Sequence, residues 1–188
     1  MAQSMLFLDT ETGGLDPRSH SLLSLGLVLG DGPKMVNSLE ILIRHEPYVV
    51  SAGGLAVNRI DLVQHSRAAL DPPVALAVLE VFLDQHFPHL CQPIILAGHN
   101  VAFDRAFLGA FLAGQGRALE PRFSHRTVDT HAIAAALRDA GRLPLGNLSS
   151  SALFAHFGIQ VPDEKRHTAL GDALATFDLY WKLVGLMR

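Results

Sequence analysis

The sequence predicts a mixed α/β domain. Two patterns point to it. Three strand-like apolar runs come first, the last two separated by the turn Gly30-Asp31-Gly32-Pro33, and after Pro93 short apolar runs alternate with stretches of helical periodicity. The chain has 188 residues, 49% hydrophobic and 18% charged, which is the composition of a globular protein with a sizeable core. No internal repeat, low-complexity tract or long linker interrupts it, so residues 1–188 are expected to form one domain.

The strand candidates are, in order, Met5 to Asp9, Ser21 to Leu29 and Met35 to Arg44. The Gly/Pro turn between the last two makes the three an antiparallel meander. Pro47 to Asn58, which contains Gly53-Gly54, reads as a loop. Asp61 opens a short helical segment, and Pro72 to Phe87 reads as a helix with Asp71 at its cap and proline in its first turn. Pro93 to Ala97 is a fourth strand, after which Val101, Phe103, Ala106, Phe107, Ala110 and Phe111 recur at helical spacing. Arg126 to Thr130 is short enough for a fifth strand near the sheet edge. His131 to Ala140 continues as helix until Gly141 stops it, and Asn147 to Phe157 and His167 to Met187 supply the last two helices.

Chemistry gathers at the ends of these elements. Asp9 and Glu11 close the first strand two positions apart, so alternation puts both on one face. Two carboxylates side by side repel each other and lose hydration near a core, which calls for positive charge between them; an isolated D-x-E is equally at home in a solvated turn. Gly98-His99-Asn100 follow the fourth strand, and Asp104 lies one turn into the next helix, where an acid also complements the helix dipole. His167 and Asp172 stand five residues apart at the start of the last helix.

Taken together, the segments DTETGGLD, GHNVAFDRAFL and HTALGDA resemble the three motifs of the DEDDh (DnaQ-like) 3′–5′ exonucleases, the family of the bacterial DNA polymerase III proofreading subunit and ribonuclease T. They stand in the family's order over residues 9 to 172, and Asn147-Leu148 before SSSALFAHFGI is similar to the family's helix ahead of the third motif. The resemblance implies a ribonuclease-H-like three-layer sandwich, its five-stranded mixed sheet ordered 3-2-1-4-5 between flanking helices. It implies release of nucleoside 5′-monophosphates from the 3′ end of single-stranded DNA or RNA.

It also implies the roles. Asp9, Glu11 and Asp172 would hold one divalent cation, and Asp9 with Asp104 a second, with Mg²⁺ or Mn²⁺ favoured by an all-oxygen donor set. Two such ions about 4 Å apart clamp a scissile phosphate, sharpening an attacking water and neutralising the leaving oxygen. His167 would take the water's proton. Substrate contacts would come from Thr10, Thr12, Gly13, Gly14 and Leu15, and from His99, Asn100 and Phe103. Stacking accepts every base, so sequence preference would be weak.

Two other classes compete. The D-x-D-x-T nucleophile loop of haloacid-dehalogenase-type phosphatases is close to Asp9-Thr10-Glu11-Thr12, but Glu11 stands where that chemistry needs Asp and Lys165 has no supporting pattern. A catalytically silent binding module would have lost a carboxylate, yet all four are present with His167. The remaining histidines, among them His45, His65 and His131, have no zinc-site spacing.

Net charge is −3, but unevenly placed: residues 1–94 carry five Lys/Arg against ten Asp/Glu, residues 95–188 ten against eight. Arg117, Arg122, Arg126, Arg138, Arg142, Lys165 and Arg166 are therefore candidate phosphate contacts, and weak binding at a strand end is expected over tight duplex binding. The single Cys91 forms no internal disulfide, and no signal peptide or membrane span is visible, so a soluble cytoplasmic protein is expected. With the last helix at the end of the chain, a free-standing enzyme is expected over a polymerase-bound subunit.

Overall fold

The computed structural model describes residues 4–87, 92–162 and 168–188, so the expectations for Cys91, Lys165, Arg166 and His167 lie outside the described residues. Its elements are β1 (Met5–Thr12), β2 (Leu22–Asp31), β3 (Lys34–Leu42), α1 (Ala52–Asn58), α2 (Leu62–Ala68), α3 (Pro72–His86), β4 (Ile94–Gly98), α4 (Ala102–Gly114), β5 (Phe123–Asp129), α5 (Thr130–Asp139), α6 (Ser150–Phe157) and α7 (Ala169–Gly185). The strands make one mixed sheet in the order β3-β2-β1-β4-β5, the expected one. β1, β2 and β3 are an antiparallel meander, and β4 and β5 join it in parallel.

Alternation along β1 sorts its side chains between two layers. Leu6 and Leu8 enter the core built with α3 and α4, including Leu79, Leu83, Phe107 and Leu108. Met5 and Phe7 face the other way, onto Ala173 and Phe177 of α7, with the Phe7 and Phe177 rings edge-on at 5.2 Å. Residues β1 adds beyond Leu8 inherit this division: Asp9 and Glu11 continue on the α7 side, Thr10 on the α4 side. A further cluster, among α5, α6 and α7, buries Leu137, Leu153, Phe154 and Leu179.

Several boundaries differ from expectation. β1 runs to Thr12 rather than Asp9, because its pairing with β2 persists through Glu11 opposite Ser24 and resumes at Thr12 opposite Leu22 after an irregularity. Both acids therefore lie inside a strand. The expected loop of residues 47–58 contains α1: the Ser51 hydroxyl accepts from the Gly54 N–H, and Arg59 closes the helix at φ 57° with its N–H on the Leu55 carbonyl. α6 starts at Ser150, not Asn147, since the Asn147 side chain accepts from the Ser149 N–H and Ser149 takes the capping position. β5 begins at Phe123 and α7 at Ala169, capped by Thr168. Asp71 precedes α3 as expected but makes no side-chain cap bond; its carboxylate pairs with Arg44 at 3.2 Å. Among the described residues no helix is long and apolar enough to cross a membrane.

Candidate active site

The site is assembled where β1 ends. Asp9, Gly26 and Glu40 are successive cross-strand partners on β1, β2 and β3, a row across the α7 face of the sheet. The middle position must be glycine. A Cβ on Gly26 would fall 2.1 Å from the carbonyl carbon and oxygen of Ala169. Into that gap settles the first turn of α7, whose Leu170 N–H donates to Glu40 Oε1 at 3.3 Å. Asp172, also in the first turn of α7, is thereby delivered to the strand, and Asp9, Glu11 and Asp172 each offer a carboxylate oxygen within 4.8 Å of the other two.

Asp104 arrives from the opposite layer. β4 lies parallel to β1, with Leu6 opposite Leu96 and Phe7 opposite Ala97. Gly98, whose Cβ would come 2.8 Å from the Leu8 carbonyl, lets the two strand ends close up. The chain turns at Asn100, φ 58°, whose N–H donates to Asp129 Oδ1 at 3.2 Å, and α4 then begins with Asp104 in its first turn. His99 backs this turn: its Nδ1 lies 3.0 Å from the Thr130 hydroxyl, which itself donates to the Gly98 carbonyl. Burial first, then His131, lowers the His99 pKa. Asp104 is only 4% exposed and accepts the Thr10 hydroxyl at 2.7 Å.

So placed, the acids resist ionisation. Burial, followed by repulsion from Asp104, Asp172 and Glu11, raises the Asp9 pKa well above its ordinary value. Burial, then Asp172 and Asp104, pushes Glu11 up to about 8. Burial lifts Asp104 to about 7 against the hydrogen bonds from Thr10 that favour its charged form. Among the described residues no ion pair includes Asp9, Glu11 or Asp104. A cluster of oxygen donors carrying this much mutual repulsion fits a hard divalent cation.

Two hollows flank the cluster. One of about 500 Å³ is lined by Asp9, Glu11, Asp104 and Asp172, by His99, Asn100 and Phe103, and by Ser150, Ser151 and Phe154. The other, about 410 Å³ and mainly apolar, lies between the end of β1 and α1, lined by Thr12, Gly14, Leu15, Gly54, Val57, Asn58 and Phe103 among others. Leu15 and Val57 project from its wall, 84% and 66% exposed. The contribution of α1 escaped the sequence reading; the local signal was Ser51 ahead of Gly54 at capping distance.

Of the residues expected to touch substrate, Leu15, Phe103, Thr12 and Gly14 line the apolar hollow, and His99 and Asn100 the acidic one. The Thr12 hydroxyl is taken up by the Gly14 carbonyl at 2.8 Å. Gly13 is enclosed by the protein's own backbone. Its N–H and carbonyl bond Ser21 and Ser51, and a Cβ there would lie 2.3 Å from the Val49 carbonyl, so its missing side chain makes room for protein. The basic candidates are largely engaged elsewhere: Arg117 pairs with Glu80, Arg122 with Asp84, Arg138 with Asp139, and Arg142 donates to the Leu186 carbonyl.

Comparison with known proteins places this geometry. No family model matches the chain. Ribonuclease T of Buchnera aphidicola subsp. Schizaphis graminum is 26% identical over 184 residues, covering 94% of this chain and 81% of that protein. A DNA polymerase III subunit epsilon-like protein of Rhodobacter capsulatus is 25% identical over 189 residues, covering 98% of this chain and 24% of that protein. Among solved structures, the zinc-bound form of an E. coli exonuclease I–ssDNA complex superposes with a TM-score of 0.77 at 17% identity over 100% of this chain and 41% of that one. Exonuclease I with a dT13 oligonucleotide gives 0.74 at 16% identity, covering 95% and 40%. The chain thus spans about two fifths of the exonuclease I chains. The superpositions show the ribonuclease-H-like fold, and the sequence likeness bears out the resemblance carried by the three motifs.

Proposed function

We propose that this chain, a DEDDh-type relative of ribonuclease T, is a divalent-metal-dependent 3′–5′ exonuclease that removes nucleoside 5′-monophosphates from single-stranded nucleic acid. The observation that carries the reading is the convergence of Asp9, Glu11 and Asp172 within 4.8 Å, with Asp104 lining the same cleft. Its kinship with proteins named as nucleases favours a phosphodiester substrate over the monoester of a dehalogenase-type phosphatase.

In this reading Asp9, Glu11 and Asp172 would hold one cation, and Asp9 with Asp104 the other. Bound there, two Mg²⁺ or Mn²⁺ ions would offset the charge of the scissile phosphate and of the leaving 3′ oxygen and sharpen an attacking water. His167, one residue before the cap of α7, accepts that water's proton. The apolar hollow beside the cluster receives the terminal nucleotide, with Leu15, Val57 and Phe103 against its base and sugar. Apolar contact excludes water without reading base edges, so the four bases are accepted alike.

Side-by-side digestion of end-labelled single-stranded DNA, duplex DNA, RNA and dinucleotides, with Mn²⁺ or Mg²⁺, tests the proposal. The expected result is stepwise shortening from the 3′ end, lost on Asp9→Asn. Turnover of p-nitrophenyl phosphate without any of 5′-p-nitrophenyl thymidine monophosphate would overturn it, as would silence on every substrate with both metals.

A further inference from the structure

We infer that Thr10 is a positioning residue, its hydroxyl setting which way the Asp104 carboxylate faces in the acidic cleft and so how well that side of the site holds a divalent cation. The inference rests on the metal-dependent reading above. Alternation makes the middle residue of Asp9-Thr10-Glu11 turn away from its neighbours, toward α4 instead of α7. There its hydroxyl donates to Asp104 Oδ1 at 2.7 Å, the usual length of a well-formed O–H···O hydrogen bond. The partners are 94 residues apart in sequence, and both are buried, Thr10 at 8% and Asp104 at 4% exposure.

An aspartate carboxylate needs such a partner. Packing of Phe107 and Leu108 into the core fixes the helix on which Asp104 rides, but the last torsion of an aspartate is broad and two-fold, so the helix alone does not choose which oxygen faces the cleft. The backbone N–H groups of Thr10 and Asp104 also favour the charged carboxylate, and the hydroxyl seated on Oδ1 adds the choice of oxygen, leaving Oδ2 for the cleft. A threonine hydroxyl has a single proton to give. Given to Asp104, it is withheld from a substrate phosphate, so the side chain serves the metal site while any contact of residue 10 with substrate falls to its main chain.

The experiment measures Mn²⁺ binding without nucleic acid, by calorimetry and by the Mn²⁺ spin-resonance signal, on the full chain and its Thr10→Ser, Thr10→Val and Asp9→Asn variants. Thr10→Ser is expected within about threefold of the parent. Thr10→Val keeps the shape but lacks the donor, and is expected to weaken binding roughly 10- to 100-fold, the usual scale for a partner behind a metal ligand. Metal-free melting confirms folding; should the valine variant not fold, Thr10→Ala removes the same hydroxyl without placing a methyl against Asp104. Parental Mn²⁺ affinity in Thr10→Val or Thr10→Ala overturns the inference, and so does a serine variant as weak as valine. If the parent binds no Mn²⁺, or Asp9→Asn binds it unchanged, the metal-dependent reading itself fails and the inference falls with it.

Discussion

Gly26→Ala is expected to disable the site while touching none of its carboxylates. The added Cβ would stand 2.1 Å from the Ala169 carbonyl and 2.4 Å from the Leu170 nitrogen. Ordinary contact begins near 3.4 Å, so the first turn of α7 must withdraw by about 1.3 Å. Asp172 travels with that turn, out of a cluster whose oxygens lie within 4.8 Å, and the 3.3 Å bond from the Leu170 N–H to Glu40 stretches. A misplacement of about 1 Å in a reacting constellation costs on the order of 100-fold in rate. Overpacking costs about 1–3 kcal/mol of stability, which a fold of this size survives. The assay is 3′ digestion of a 5′-labelled single-stranded oligonucleotide, paired with Mn²⁺ calorimetry: turnover should fall about 100-fold and Mn²⁺ affinity with it. Gly109→Ala is the control. It lies within α4, its nearest neighbour would be 3.8 Å from the new Cβ, and it should gain about 0.5–1 kcal/mol with activity unchanged. Parental rate and Mn²⁺ affinity in Gly26→Ala would show that the glycine does not seat α7.

Glu11 gives the metal-free protein a pH dependence. Its folded pKa of about 8 lies above the usual 4.5, so the protonated form favours folding, and this contribution, whole below pH 4.5, is lost as pH rises through 8. Between pH 6.5 and 8.5 the loss is about 2 kcal/mol. Metal-free melting should therefore fall over that interval, and Glu11→Gln should lessen the fall, leaving the share of Asp9 and Asp104; a parental Tm that rises with pH contradicts the sign. Trimming Leu15 or Val57 to Ala should raise KM several-fold with kcat nearly unchanged, because in the proposed function these exposed side chains would grip the terminal nucleotide in ground and transition states alike; steady-state kinetics on a short oligonucleotide separates the two constants. His167→Ala should lower kcat roughly 100-fold or more while leaving Mn²⁺ affinity within a few-fold, and full activity would remove the base assignment.

How much of this was legible depended on whether the signal was local. Strand alternation and the turn around Gly32 carried the meander, and apolar spacing from Val101 to Phe111 carried α4, because each is written in consecutive residues. The order 3-2-1-4-5 came with the three-motif resemblance; periodicity stops at a mixed α/β class. α1 was hidden because Gly53-Gly54 read as breakers, whereas Gly54 is kept small by packing, a Cβ there lying 2.5 Å from the Gly13 carbonyl, and Gly53 faces open space. Gly26 sits in a leucine-rich strand with no hint that a helix end lies over it. Glu40 drew no expectation for the same reason: its partner, the Leu170 N–H, is 130 residues away. Arg117 and Arg122 pair with Glu80 and Asp84 of α3, partners adjacent only in space and so invisible in consecutive residues.

Strand alternation and helix polarity together account for the way the cleft is built. Asp104 and Asp172 occupy first turns of α4 and α7, where the positive ends of two helix dipoles meet the end of β1. Those dipoles help, yet burial, and for Asp9 and Glu11 the neighbouring carboxylates, still raise the pKa values of the cluster. A phosphodiester is an anion too, and four carboxylates with Glu40 behind them repel it at close range. Cations between acids and phosphate reverse that sign, so metal and nucleic acid should bind with positive coupling: each raises the affinity for the other by the same factor. On the proposed function the apolar hollow would contribute what the charged cleft lacks, contact with base and sugar that owes nothing to ions, and a strand end reaching both hollows at once would be held more firmly than by either alone.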